Sequence, residues 1–114
     1  MSAELIAEAV EPTFSTTVER LDSEIVVYVS GEVDMATCGE LRDAIEPFLG
    51  PGQTIVLDLS NVTFMDSSCL GVLVQARGQL TADGGSLMLR NPSSAARRIL
   101  TLANVEDLLD AEAT

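Results

Sequence analysis

The stretch that decides the fold is TIVLDLSNVTFMDSSCLGVLV, residues 54–74. Apolar residues dominate Thr54–Ser60, which is typical of a buried strand. After a short loop, Ser67–Ala82 has helical spacing. The first two turns of this helix are apolar nearly all round, so we expect burial on several sides. Gly71 and Gly78 weaken a helix, and we expect close backbone approach at both.

The chain that follows this stretch predicts one more strand and one more helix. A turn at Asp83-Gly84-Gly85 leads into a strand over Ser86–Arg90. The Pro92-Ser93 pair predicts the start of a helix that ends at Asn104 in a left-handed conformation. Its inner face comprises Ala96, Ile99, Leu100 and Ala103. Val105–Leu109 favours a short edge strand.

The chain that precedes the stretch predicts a β-hairpin and a helix. Phe14–Arg20 and Glu24–Glu32 alternate in polarity, are rich in Thr and Val, and flank a short turn. Thr37 and Glu40 form the Thr-x-x-Glu pattern of a capping box, which opens a helix. Gly50-Pro51-Gly52 ends that helix.

Strands that alternate with helices after an initial hairpin predict an α/β fold. We expect a single domain over residues 13–110, with a mixed, mostly parallel β-sheet of four or five strands packed by about three helices. Residues 1–12 are predicted to be an acidic N-terminal tail, mobile or weakly helical, and residues 111–114 a C-terminal tail.

The composition excludes several classes of function. The chain has 114 residues and a net charge of −12, with 18 acids and six cations that are all Arg. Such a charge repels phosphate backbones and anionic lipid, so we expect no nucleic-acid partner and no membrane partner. Without His or Lys, zinc sites built on imidazole, Ser-His-Asp triads and lysine chemistry are ruled out. A hydrolase built on Ser67 or Cys69 lacks a base, and we expect no catalytic residue, cofactor or metal.

Two features favour a cytoplasmic location. No apolar stretch approaches the roughly 18 residues of a membrane span, and no Lys or Arg precedes Arg20 as a signal peptide requires. Cys38 and Cys69 are too few and too far apart in sequence for a secreted disulfide framework or a Cys-x-x-Cys motif, which indicates a reducing compartment.

The Asp66-Ser67-Ser68 step stands where a loop enters the buried helix, and two interpretations of it are open. In the first, Asp66 or Ser67 merely caps exposed helix amides. In the second, the free amides and the positive end of the helix dipole stabilise an anion, so that a phosphoryl group on Ser67 is tolerated.

Five segments occur in the same order along the chain as in one known family. They are Gly31-Glu32-Val33-Asp34, Val56-Leu57-Asp58-Leu59-Ser60, Phe64-Met65-Asp66-Ser67-Ser68, Leu70-Gly71-Val72-Leu73, and Asn91-Pro92-Ser93 with Arg97-Arg98. Over about residues 13–110, they resemble the STAS domain of bacterial anti-sigma factor antagonists. The Asp-Ser-Ser step between that strand and that helix is the specific part of the resemblance.

The resemblance implies a partner-switching regulator of transcription, monomeric or weakly dimeric. In the family, the unmodified domain binds an anti-sigma factor that is also a serine kinase, which frees a sigma factor. The kinase phosphorylates the first serine of the step, which here is Ser67, and the complex dissociates until a metal-dependent serine phosphatase resets it. The partner-binding residues carried over by motif are Asp34, Asp66, Ser68, Cys69 and Leu70.

Cys69 departs from the family pattern, which commonly has Gly at this position. One interpretation is a small buried residue that fills space. The other is a redox-sensitive thiol activated by the helix N-terminus, which nearby carboxylates oppose.

Other interpretations are open for the domain as a whole and for its charged residues. A constitutive STAS scaffold, or an accessory subunit of a stress-signalling or transport assembly, would leave Ser67 unmodified. A Mg²⁺ cluster of the receiver-domain type could be built from Asp34, Asp58 and Asp66. It is disfavoured because such domains rely on a lysine, and this chain has none. Arg97 and Arg98 are predicted to form the solvated face of the third helix or to pair with acids.

Overall fold

The computed structural model describes residues 13–105, whose four strands form one sheet in the order β1-β2-β3-β4. The strands are β1 (Phe14–Leu21), β2 (Glu24–Val33), β3 (Thr54–Met65) and β4 (Ser86–Arg90). β1 pairs with β2 in antiparallel fashion, and β2, β3 and β4 are parallel. The predicted mixed sheet that begins with a hairpin is confirmed. The two predicted tails, and residues 106–109 of the predicted edge strand, lie outside the described residues.

Within residues 13–105, three α-helices accompany the sheet: α1 (Cys38–Ile45), α2 (Leu70–Ala82) and α3 (Ser94–Leu102). A 3₁₀ turn follows α1 at Glu46–Phe48, and another precedes α2 at Ser67–Cys69. The predicted bounds of α3 are confirmed, since the Ser93 hydroxyl accepts a bond from the Ala96 N–H at 3.1 Å and Asn104 has φ 59°. No helix in this part of the chain is long and apolar enough to cross a bilayer.

Alternate strand residues and the inner faces of the helices form one hydrophobic core. The two central strands are buried along continuous runs, as parallel strands in a sheet usually are. The helices contribute Leu41, Ile45, Leu73, Ala76, Leu80, Ala96 and Leu100. The core packs against β2 and β3, whose ends lie side by side.

Strand β3 continues five residues beyond the predicted end at Ser60. Its last residues pair with Ser30–Val33 of β2 through two register shifts. One shift adjoins Gly31, whose φ of 98° and close approach to the Thr13 carbonyl leave no room for a side chain. The predicted loop before the Asp-Ser-Ser step is therefore sheet, and the step is held at the end of a strand.

Two expectations for α2 are wrong. Helix α2 buries Leu73, but Val74 in its first turns is 54% exposed. Among residues 13–105, a Cβ added at Gly71 or Gly78 would meet nothing within 4 Å, so neither glycine serves close backbone approach there. The helix is buried on one side only, and its apolar outer residues are part of the surface.

Candidate partner-binding site

The site lies where β2 and β3 end next to each other. Val33 and Met65 are paired residues of the two parallel strands, and Asp34 and Asp66 follow them directly. The Asp66 N–H donates to the Val33 carbonyl at 3.2 Å. The register therefore brings two aspartates and the turns that follow them to one edge of the sheet.

Asp66 organises the turn that carries the two serines. Its Oδ1 accepts bonds from the Ser68 N–H at 2.9 Å and from the Ser68 hydroxyl. These bonds, the side-chain one first, hold the pKa of the Asp66 carboxyl below its ordinary value. At neutral pH the turn therefore carries a negative charge, and the Ser68 hydroxyl is committed to it.

Ser67 lies in the same turn but its side chain is in a different situation. The residue is exposed, and no group within residues 13–105 is hydrogen-bonded to its hydroxyl. It opens the 3₁₀ turn that leads into the thirteen-residue helix α2. Among the described residues, Ser67 thus offers a hydroxyl without a bond, beside a helix N-terminus. The interpretation in which Ser67 carries a phosphoryl group requires this arrangement.

Asp34 forms a second turn of the same kind. Its Oδ1 accepts bonds from the Ala36 N–H at 2.9 Å and the Thr37 N–H at 3.2 Å. The Thr37 hydroxyl donates to the Glu32 carbonyl at 2.9 Å and accepts from the Asp34 N–H at 3.0 Å. Thr37 does precede α1, as predicted. The predicted capping box is nevertheless wrong, because the Thr37 side chain bonds to the end of β2 and does not cap the helix.

Cys38 and Cys69 are joined by a disulfide with their Cα atoms 5.3 Å apart. Sequence reasoning treated Cys69 as unbonded and missed this disulfide, because parallel β2 and β3 bring the starts of the following helices together. The disulfide also removes the support that the two cysteines gave to a reducing compartment. Cys69 is 0% exposed, so it is a buried half-cystine and neither a free thiol nor a surface contact. Ser68 and the half-buried Leu70 flank it on the surface side.

Exposed apolar side chains surround this edge, and sequence reasoning missed them. Met35, in the Asp34 turn, is 80% exposed, and Val74 lies one helical turn beyond Leu70. Phe64 and Leu102 line an open groove of about 330 Å³ that also contacts Asp66. Apolar surface rimmed by charge is typical of protein–protein contact sites. In the sequence, this apolar surface was marked only by apolar residues, such as Met35, that fit no core-facing pattern of a helix or strand.

The two consecutive arginines of α3 are both exposed. Arg98 lines the same groove as Asp66, so a cation lies near the acidic turn. This agrees with the prediction of a solvated face and adds Arg98 to the rim of the site.

Asp58 stands apart from the site. It pairs along the sheet with Tyr28 and Arg90, seven residues before the end of β3. Its carboxylate accepts bonds from Ser60 and Asn91 instead of facing Asp34 and Asp66. Among the described residues, no group of three or more His, Cys, Asp or Glu side chains is arranged to hold a metal.

Comparison with known proteins identifies the family. The family described as "Mlab, STAS domain" matches residues 16–110. The anti-sigma-B factor antagonist of Bacillus subtilis is 31% identical over 96 residues, which are 84% of this chain and 88% of that protein.

Solved structures agree in fold. An anti-sigma factor antagonist from Mycobacterium paratuberculosis has a TM-score of 0.70 at 33% identity, covering 84% of this chain and 82% of that one. The unphosphorylated form of the anti-sigma factor antagonist SpoIIAA has a TM-score of 0.72 at 26% identity, with coverage of 84% and 86%. The phosphorylated form of Bacillus SpoIIAA has a TM-score of 0.66 at 25% identity, with coverage of 84% and 89%. The chain therefore belongs to the STAS domain family, and it resembles that family's anti-sigma factor antagonists in sequence and in fold.

Proposed function

We propose that this protein is an anti-sigma factor antagonist whose partner is an anti-sigma factor with serine-kinase activity. In the unphosphorylated form it binds that partner and so frees a sigma factor for transcription. Phosphorylation of Ser67 ends the complex, and a serine phosphatase restores it. The protein acts by binding, in the cytoplasm, as the 13–110 domain, and the kinase supplies ATP and Mg²⁺.

The observation that carries the proposal is the difference between the two serines. The Ser67 hydroxyl is exposed and makes no bond within the described residues, whereas the Ser68 hydroxyl is bonded to Asp66. A kinase must bring the acceptor oxygen in line with the γ-phosphate, and a hydroxyl with no bond to break costs less to move. Ser67 is therefore the better acceptor of the pair.

The charges at the site support a switch in binding. A phosphate on Ser67 adds about −1.5 to −2 charges next to the ionised Asp66. On the free protein this charge stays in water near the N-terminus of α2, which favours an anion. In a complex it would be desolvated between the two proteins, and an unpaired buried charge costs several kcal/mol. Each 1.4 kcal/mol lowers the affinity about tenfold.

The surface proposed to contact the partner combines the motif residues with the exposed apolar ones. On this proposal the surface around Ser67 comprises Asp34, Asp66, Ser68 and Leu70, together with the exposed side chains of Met35 and Val74. Cys69 supports this surface from below through its bond to Cys38. Anti-sigma factor antagonism in the B. subtilis relative supports the same class of partner here.

A pull-down from cytosol of the source organism tests the proposal. The baits are wild type, Ser67→Ala and Ser67→Asp, with Ser15→Asp on the exposed side of β1 as the matched control, and the retained proteins are identified by mass spectrometry. We expect wild type, Ser67→Ala and Ser15→Asp to retain an ATPase-like serine kinase, and Ser67→Asp to lose it.

The opposite pattern identifies the alternative. If all four baits retain the same partner and wild-type Ser67 carries no phosphate, the domain is a constitutive scaffold or an accessory subunit. In that case the phosphorylation switch proposed here is wrong.

A further inference from the structure

We infer that the Cys38–Cys69 pair is a reversible thiol–disulfide site that controls how freely the Ser67 turn opens. The inference rests on the proposed function only where it concerns phosphorylation of Ser67. The control of the turn itself is a property of this chain alone.

The bond connects the two turns that form the site. Cys38 is the first residue of α1 and follows the Asp34 turn, and Cys69 ends the 3₁₀ turn that Ser67 opens. The two residues are 31 apart in sequence but their Cα atoms are 5.3 Å apart, within the usual range for a disulfide. While the bond is present, the Ser67 turn cannot move away from the start of α1.

The two sulfurs differ in access. Cys38 is only partly buried, and its Sγ lies 3.8 Å from the Ser68 hydroxyl at the surface. Cys69 is fully buried, with its Sγ 3.1 Å from the Asp34 carbonyl oxygen. An incoming thiolate therefore reaches Cys38, and Cys69 is the leaving group.

The reduced pair also fits the structure. A Cys69 thiol has the Asp34 carbonyl as its acceptor, so breaking the disulfide leaves no buried donor without a partner. A pair that is satisfied in both redox states is suited to reversible chemistry.

The reductant is a dithiol, such as the active-site pair of a small disulfide reductase. One of its thiolates attacks Cys38 Sγ, the Sγ–Sγ bond breaks, and Cys69 leaves as a thiolate that takes up a proton. The second thiolate of the reductant then attacks the reductant's sulfur in the mixed disulfide. This forms the reductant's own disulfide and releases Cys38 as a thiolate, which takes up a proton. Two electrons and two protons have passed from the dithiol to the pair, and a disulfide oxidant of the same class reverses the exchange.

The consequence concerns the kinase step. A kinase must draw the Ser67 hydroxyl into its own site, which requires the turn to open locally. The disulfide opposes this opening, so the oxidised protein is phosphorylated more slowly and remains in the partner-binding form. Oxidation therefore prolongs the active state of the antagonist.

The first experiment needs no partner. The full chain is equilibrated in buffers of graded reduced and oxidised dithiothreitol, alkylated with iodoacetamide and weighed by mass spectrometry. We expect both cysteines to gain or lose their label together in one reversible two-electron transition. Two labelled cysteines under fully oxidising conditions would overturn the inference.

Amide hydrogen exchange then measures the turn. We expect the amides of residues 66–70 to exchange about tenfold faster in the reduced protein, which corresponds to about 1.4 kcal/mol in the free energy of opening. Cys38→Ser, which cannot form the bond, should match the reduced protein in every buffer, while amides of β1 stay unchanged. Equal exchange at residues 66–70 in both redox states would overturn the inference.

The third experiment separates this inference from the proposed function. Oxidised wild type, reduced wild type and Cys38→Ser are incubated with ATP in a desalted extract of the source organism, and phosphate on Ser67 is followed by mass spectrometry. We expect slower modification of the oxidised form only. Equal rates would overturn the control of the kinase step. If no form carries phosphate, the proposed function is contradicted. Control of the turn by the disulfide is then decided by amide hydrogen exchange at residues 66–70.

Discussion

At the scale of single residues, Asp58 shows how a nearly buried carboxylate stabilises a loop. Its side chain is 8% exposed and accepts bonds from the Ser60 N–H at 3.0 Å, the Ser60 hydroxyl at 2.6 Å and the Asn91 amide at 3.1 Å. Asn91 has a φ of 52°, a conformation that needs support. Asp58 therefore fixes the chain between β4 and α3 to the middle of β3.

The pKa of Asp58 gives a pH prediction. Burial raises this pKa, but the bonds from Ser60 and Asn91 and the nearby Arg90 charge outweigh burial and hold the pKa below its ordinary value. A carboxyl whose folded pKa is below the unfolded one stabilises the fold above the unfolded value, and this stabilisation is lost as pH falls through the folded pKa. Asp58→Asn puts an NH₂ group opposite the donors of Ser60 and Asn91. It should therefore lower the free energy of unfolding by roughly 1–3 kcal/mol at pH 7.

Urea unfolding at pH 7 and at steps below pH 4 checks this prediction. The deficit of Asp58→Asn relative to wild type should shrink as pH falls below about 4, because wild type then loses its own ionised carboxylate. Asp43→Asn, on the exposed side of α1, is the matched control for removal of one charge. A deficit that is constant across this pH range would show that ionisation of Asp58 does not stabilise the fold.

At the scale of elements, helix α2 contains an avoidable weakness. Gly78 lies in the interior of α2 and is exposed, and no other part of the described chain comes within 4 Å of the place where a Cβ would stand. Glycine in a helix interior costs roughly 0.5–1 kcal/mol relative to alanine. We expect Gly78→Ala to raise the free energy of unfolding by about that amount, measured by urea denaturation.

A matched glycine in the sheet should respond in the opposite direction. A Cβ at Gly31 would collide with the Thr13 carbonyl, and its φ of 98° is strained for any other residue. Gly31→Ala should therefore destabilise the protein under the same conditions. If Gly78→Ala also destabilises it, the outer face of α2 has a contact that the structure does not show.

Element boundaries were predictable where local chemistry sets them and not where pairing does. The predicted Ser86–Arg90 strand and the Ser93 start of α3 are confirmed, since turn residues and a capping hydroxyl mark them. The last five residues of β3 were not predictable, because polar Asn61 and Thr63 interrupt the apolar run. Only pairing with β2 across its register shifts extends that strand.

At the scale of the whole molecule, the site depends on the parallel register of β2 and β3. This register brings Asp34 next to Asp66 and Cys38 next to Cys69, which no local pattern predicts. The resemblance to a family supplied the motif residues, but it implied a common Gly at position 69 and so gave no sign of a disulfide there. The disulfide and the exposed Met35 and Val74 required the tertiary structure.

Because Ser67 lies outside the hydrophobic core, a negative charge at this position should leave the stability of the whole molecule nearly unchanged. Ser67 is exposed and its hydroxyl has no bond within the described residues, so Ser67→Asp should change the free energy of unfolding by no more than about 0.5 kcal/mol. Ser68→Asp is the control, because it replaces a hydroxyl that donates to Asp66 with a second carboxylate and should cost about 1 kcal/mol more. Thermal unfolding followed by circular dichroism compares both with wild type. A large loss of stability in Ser67→Asp alone would mean that phosphorylation acts by unfolding the domain, and the proposed change in partner affinity would then be a consequence of lost structure.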